Sequence, residues 1–380
     1  MTLHEFGCAL NGMDPTLFST ASKWAKHEVL AIMLKKGERG PMKAISVMGI
    51  DLAKNVFHVY AEDRNRKGVV RKRFSRSQII RFVANTSKCL IGVEACGGAN
   101  FWVREFKKFG HTVRMIPPQY VKPFVKTNKN DFNDAQAICE AVQRPSMHFV
   151  SEKSIEQQDI QILHRVRNRL VRNRIGVCNE IRGFLAEYGI VSGSGVSKLR
   201  KKVQEILSTD EGQFTGRAKT VIGELYGEWI QMEERIERLN EQIKGVFEGD
   251  ESCQRISKIP GVGPITATAI VAAVGNPSVF KNGRQMAAWL GLVPRQSSSG
   301  GKSTLLGISK RGDNYCRMLL VHGGRSVVKY APNKLDKQSL WVSEKRRTRG
   351  YNKAAVAVAN KNARIIWRML MTGESYRPAA

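Results

Sequence analysis

The chain has 380 residues, 42% of them hydrophobic and 25% charged, which is enough apolar surface for two or three domain cores and too much for a disordered chain. Lys and Arg number 62 against 33 Asp and Glu, a formal charge of +29 spread along the whole chain, so a folded surface tracking a polyanion is expected. Seven scattered cysteines with no CxxC pair argue against a zinc site or disulfide framework. No apolar run approaches the roughly 18 residues of a bilayer span, and no secretory signal opens the chain, so the expected location is the cytoplasm with no membrane partner.

Residues 1–41 form an N-terminal extension, with one short helix expected at about residues 21–34 and Met42 as an alternative start. A strand pattern begins after Met42. AISVMGIDLA, NVFHVYAE and GVVRKRF predict three strands joined by short turns, and SRSQIIRFVANT a helix with a serine cap. KCLIGVEAC is a short strand apolar enough to be buried on both faces. A helix over residues 101–109, a strand in HTVRMIPP and a helix opening at Asp131 complete the order βββαβαβα. That order predicts an α/β RNase H-like (RuvC-like) domain over residues 42–150.

Residues 151–250 are expected to be a helical linker. Arg165, Arg167, Arg169, Arg172 and Arg174 crowd one helix, where phosphate contact is favoured over a merely solvated face. Ile222, Leu225, Trp229, Met232, Ile236, Leu239, Ile243 and Val246 alternate three and four apart, a coiled-coil seam. An intramolecular hairpin and a dimer contact both satisfy it. Residues 251–372 predict a mainly helical domain before a short tail, 373–380. In it ISKIPGVGPITATAIVAAV has a helix-hairpin-helix pattern: Gly261 and Gly263 let backbone N–H groups approach a phosphate, and an ordinary glycine turn between core helices is the other reading.

Four acids carry the candidate chemistry. Asp51 in GIDLAK and Glu94 in GVEAC end two apolar strands, where burying a carboxylate is costly unless a cation compensates it. Asp131 and Asp134, three apart in DFNDAQ, project from one side of a helix start; with Asp131 as N-cap, simple capping is the alternative. Together the four are hard oxygen ligands suited to Mg²⁺ against a phosphodiester.

In this combination the residues closely resemble the DEDD site of the bridge-RNA-guided insertion-sequence transposases, the IS one-ten family and its IS eleven-eleven branch, related to Piv-type DNA invertases. IPGVGPITATAI, AAWLGLVPRQSSSGGKS and GISKRGDNYCRMLL extend the resemblance over about residues 43–371. It implies a RuvC-like domain, a coiled-coil linker and a transposase domain with a serine nucleophile. It also implies donor and target DNA, a structured guide RNA, and a homo-oligomer, dimer or tetramer. Family members commonly show two serines before the glycine where this chain has Ser297, Ser298 and Ser299; the resemblance implies Ser299, next to Gly300, as the nucleophile, with Ser298 as the alternative, while a flexible Ser/Gly loop without a catalytic role is what the segment alone would suggest. Two rivals remain at this point: a RuvC-like junction nuclease using metal-activated water, and a non-catalytic RNA-binding protein.

Overall fold

Period-two alternation of apolar residues builds three consecutive strands, β1 (Val47–Leu52), β2 (Val56–Glu62) and β3 (Gly68–Ser75), paired antiparallel. The computed structural model describes residues 45–126, 130–209 and 213–378, so the helix expected at residues 21–34 lies outside the described residues. The chain divides into two compact units between Glu152 and Lys153. In the first, β4 (Leu90–Glu94) and β5 (Thr112–Ile116) extend the sheet in parallel from β1, giving the order β3-β2-β1-β4-β5.

Helices α1 (Arg76–Ala84) and α2 (Ala99–Lys108) cover one face. The expected serine cap is present: Ser75 accepts from the Gln78 amide while the Gln78 side chain accepts from the Ser75 amide, a reciprocal capping box. Met48 and Ile50 of β1, Phe57 and Val59 of β2, and Ile91 and Val93 of β4 bury against Ile79, Val83, Trp102 and Phe106. β5 stops at Ile116, since Pro117 and Pro118 lack amide donors, and a single turn, α3 (Pro118–Val121), follows. The opposite face receives α4 (Asp131–Val142), whose Ile138, Ala141 and Val142 pack with Ile116 and Val121.

Two glycines set how near α4 can come. Gly49 and Gly92 are register partners on β1 and β4. A Cβ at Gly49 would collide with the Ala135 carbonyl oxygen and lie 2.8 Å from the Cys139 Cβ; one at Gly92 would lie 2.8 Å from the Val142 Cβ. The helix therefore rests on bare backbone. Period two then carries the residues two further along, Asp51 and Glu94, to this same face.

The second unit opens with α5 (Ile155–Glu187), α6 (Val196–Ser208) and α7 (Gly216–Gly249). Arg167 donates to Asn240 at 2.6 Å and Arg174 faces Glu233 at 3.7 Å, so α5 and α7 run antiparallel. Leu170, Val177 and Ile181 meet Trp229, Met232 and Ile236, with Leu199 and Val203 of α6 closing the layer. Four seam positions, Ile222, Trp229, Met232 and Ile236, are buried in this way within one chain, and Ile243 is buried as well. Both long helices also pack on α9 (Pro264–Val274), so the helical middle and the C-terminal portion form one unit.

Before α9 comes α8 (Glu251–Ile256), and after it α10 (Gly283–Trp289), α11 (Asn314–Tyr330), α12 (Lys337–Arg349) and α13 (Tyr351–Thr372). Ile256, Ile270, Leu290, Leu320 and Ile366 share their core. Gly261, at φ +85°, lies against Gly323 of α11, so this glycine makes a close backbone crossing, while Gly263 is exposed. A two-stranded antiparallel hairpin, β6 (Pro294–Ser299) and β7 (Lys302–Ile308), interrupts the helices. No helix of the described residues is long and apolar enough to cross a membrane.

Candidate metal centre

Asp51 lies near the carboxyl end of β1 and Glu94 at that of β4. The parallel register pairs Ile50 with Val93, which makes the two acids next neighbours across the ladder. Both are half-buried, at the sheet edge where open α/β sheets place ligands.

The third and fourth acids arrive from above. The cap of α4 is Asn130, whose Oδ1 accepts from the Phe132 amide at 2.9 Å, so Asp131 is not the N-cap that the capping alternative required. Asp131 and Asp134 occupy the first helical turn, where the positive end of the helix dipole favours carboxylates. Carboxylate oxygens of Asp51, Asp131 and Asp134 all lie within 4.8 Å of one another. Glu94 stands beside this group. Burial pushes its carboxyl above the usual range, and the charges of Asp51 and Asp134 push it the same way, against the opposing effect of Lys122.

Residues not singled out from the sequence complete the surroundings. His58 on β2 is the cross-strand partner of Asp51, is buried, and holds Nδ1 3.6 Å from Asp131 Oδ2. Its ring meets Phe132 edge to face with centroids 4.8 Å apart, and the Arg71 guanidinium covers Phe132 at 5.2 Å. Once β1 and β2 are read as a hairpin, alternation alone puts His58 on the acid face. Nothing local marks Lys122, which depends on the turn after Pro117 and Pro118.

The serines belong to the second unit, where Ser297, Ser298 and Ser299 end β6 and do not form a flexible Ser/Gly loop. Ser299 pairs with Lys302 across a two-residue turn, Gly300 and Gly301, at φ +54° and +75°. Both positive angles are what a type I′ hairpin turn needs. All three serines are exposed. Ser298 accepts from Gln296 Nε2 at 2.8 Å and pairs with Ser303, whereas alternation turns Ser299 to the other face.

Two family profiles match the chain: a DEDD transposase profile, described as "Transposase", over residues 48–190, and "Transposase IS116/IS110/IS902 family" over residues 253–339. The "Probable family 20 transposase" of Pseudomonas aeruginosa is 46% identical over 88% of this chain and 99% of its own length. The "Transposase for insertion sequence element IS1111A" of Coxiella burnetii is 46% identical over 92% of this chain and 96% of its own. The chain belongs to the IS116/IS110/IS902 transposase family. A third relative, the transposase for insertion sequence element IS1328 of Yersinia enterocolitica, is 40% identical over 87% of this chain and 98% of its own length.

A transposase of this family is a DNA-cleaving and strand-transferring enzyme, so DNA is its substrate and a divalent metal is implied by its DEDD domain. The residues present fit such an ion. Three carboxylates offer hard oxygen ligands to one point, and Glu94 experiences the surplus negative charge that a divalent cation would neutralise. Of the five arginines on α5, Arg165, Arg169 and Arg172 are exposed and share one face at helical spacing, while Arg167 and Arg174 are half-buried in the internal contacts to Asn240 and Glu233.

Proposed function

We propose that this transposase cuts and rejoins DNA through a Mg²⁺ centre held by Asp51, Glu94, Asp131 and Asp134, with Ser299 as the attacking nucleophile. The convergence of Asp51, Asp131 and Asp134 from a strand and a helix start carries the reading. Bound there, Mg²⁺ supplies Lewis-acid stabilisation of charge on the phosphate oxygens. His58 lies beside Asp131, and Lys122 balances Glu94. The Ser299 Oγ forms a new bond to the scissile phosphorus as the bond to the deoxyribose oxygen breaks, and the departing oxygen takes up a proton. Ser299 is then joined to the DNA as a phosphodiester. A hydroxyl of the incoming strand reverses the step and releases the serine, so no bond energy is lost to water.

The place of Ser299 beside the two-glycine turn supports its choice over Ser298, whose Oγ already accepts from Gln296. In the same reading a structured guide RNA selects donor and target, as in the resembling family with its link to Piv-type invertases. Arg165, Arg169 and Arg172 contact phosphates. The α5–α7 pairing is a coiled coil, and the exposed Gly263 between α8 and α9 is the phosphate-facing part of a helix-hairpin-helix. Active assemblies are dimers or tetramers working in the cytoplasm.

The test is a covalent one. With Mg²⁺, cognate DNA and copurifying RNA, the parent chain is expected to give a protein–DNA adduct that survives denaturation. Ser299→Ala removes both adduct and recombinant product while folding and metal binding persist, since one exposed hydroxyl is deleted. Ser298→Ala is milder. If the ranking is reversed the nucleophile moves by one residue, and if single and double variants all recombine, water is the attacker and the enzyme is a RuvC-like nuclease.

A further inference from the structure

The second unit contains a groove of about 1180 Å³ formed by α10, α12, α13 and the segment after α13. Its floor is one side of α13, where Lys353, Lys361, Arg364 and Arg368 recur at helical spacing. These cations span 16 residues, about 22 Å of helix from first to last. Arg284 and Arg377 add two more from the rims. The groove's lining includes a single carboxylate, Glu374, which pairs with Arg368 at 3.6 Å. The positive charge is thus largely uncompensated.

Aromatic rings sit among the cations. Trp341 and Tyr376 are half-buried and line the groove, and the Lys361 ammonium lies 4.7 Å from the Trp341 ring centroid. Both rings are fixed before any ligand arrives: Trp341 packs beside the Val342–Val358 core cluster, and the Tyr376 hydroxyl donates to Gln338 at 2.7 Å. Repeated cations beside flat rings fit a repeating anion with flat bases. A single carboxylate would need one cation, and an acidic peptide offers the rings nothing to stack on. A duplex keeps its bases stacked on one another, so the rings favour an unpaired strand.

We infer that this groove binds an unpaired nucleic-acid strand, its phosphates along Lys353, Arg364 and Arg368 and its bases against Trp341 and Tyr376. The inference rests on the proposed function in taking a polynucleotide as the partner, and adds where and in what form it is held. Strand exchange and guide pairing both generate unpaired strands, and DNA and RNA share the chemistry recognised here.

The test uses the full chain, freed of copurifying RNA, in fluorescence-anisotropy titrations over a salt series with labelled dT20, its oligouridine counterpart and a 20-base-pair duplex. The altered chain carries Lys353→Gln with Arg364→Gln; both side chains are exposed and neither is placed in the metal centre. Two lost phosphate contacts are expected to lower the salt slope for single strands by about 1.4 and the affinity at least tenfold, with duplex binding changed less than threefold. Whichever of dT20 and oligouridine suffers the larger loss identifies the natural source. Photocrosslinking of 5-iodouracil strands to the peptide holding Trp341 or Tyr376 supplies a readout independent of charge. An unchanged salt slope for both strands, or equal losses for strand and duplex, overturns the groove while leaving the proposed function standing. A parent chain that binds no polynucleotide at all overturns both.

Discussion

Gly49→Ala isolates the approach of α4 to the sheet, because it adds one methyl group where the helix backbone rests. The new Cβ would lie 2.8 Å from the Cys139 Cβ, where ordinary contact begins near 3.4 Å, and would meet the Ala135 carbonyl oxygen more closely still. The obstacle is largely helix backbone, so no flexible side chain can swing away. α4 has to retreat by at least about 0.6 Å at Cys139, and by more at Ala135. Overpacking of this kind costs about 1–3 kcal/mol. The helix also carries Asp131 and Asp134 away from Asp51, and a displacement near 1 Å in a reacting constellation lowers rates on the order of a hundredfold. Calorimetric titration of Mg²⁺ into the full chain, with a melting curve beside it, is expected to show at least tenfold weaker binding and a lower Tm. Gly97→Ala is the control: it lies three residues beyond Glu94, with no neighbour within 4 Å of an added Cβ. If Gly49→Ala binds Mg²⁺ as tightly as the parent, the packing of α4 on bare strand backbone is not what holds the acids together.

Asp51→Asn removes a ligand charge but none of the basic surface, so strand cleavage and Mg²⁺ binding should be lost while nucleic-acid binding keeps its steep salt dependence; normal cleavage would refute the assignment of Asp51. His164, buried between Thr268 at 3.0 Å and Tyr315 at 3.1 Å, is held neutral by desolvation, with Arg167 acting in the same direction, and its pKa falls from 6.5 to about 4. Above pH 6.5 both folded and unfolded chains leave it neutral; as pH falls from 6.5 towards 4 the unfolded chain takes up a proton that the folded chain refuses, so stability drops by about 3 kcal/mol across that window. Melting curves of the parent and His164→Gln at pH 7 and pH 4.5 check this, and an identical acid sensitivity in the two would count against it.

Much of the first unit is legible because its signals are local and agree with one another. Met48, Ile50 and Leu52 alternate with Val47, Gly49 and Asp51, and the sheet follows that alternation. Ser75 and Gln78 mark a helix start by themselves. The second unit is legible in its helices but not in their partners. The seam from Ile222 to Ile236 marks an apolar stripe, and only the antiparallel return of α7 along α5 decides that Leu170 and Ile181 cover it. The same blindness divides the five arginines of α5: Arg167 and Arg174 turn inward because Asn240 and Glu233, over 50 residues away in sequence, face them. The β6–β7 hairpin, in a region expected to be mainly helical, shows the converse. PRQSSS has weak strand propensity, yet Gly300 and Gly301 supply both positive φ values of a hairpin turn.

At the candidate metal centre the acids stand out by type, but the reason they converge lies in residues with no side chain. Asp51 and Glu94 each follow a glycine by two positions, in GID and GVE, on neighbouring parallel strands. The glycine admits the helix and the acid meets the carboxylates that the helix brings; neither half is informative alone, since glycine in a strand is otherwise destabilising and a strand-end acid is otherwise a candidate for an ordinary ion pair. Repetition of glycine, apolar residue and acid in register on two strands ties a backbone clearance to a charge. The helix that fills this clearance begins with Asn130 as its cap, which leaves Asp131 and Asp134 clear of that role. A sequence with the four acids but with valine at positions 49 and 92 would keep the same ligand types and lose the geometry. The glycines therefore belong to the proposed metal centre as fully as the carboxylates do.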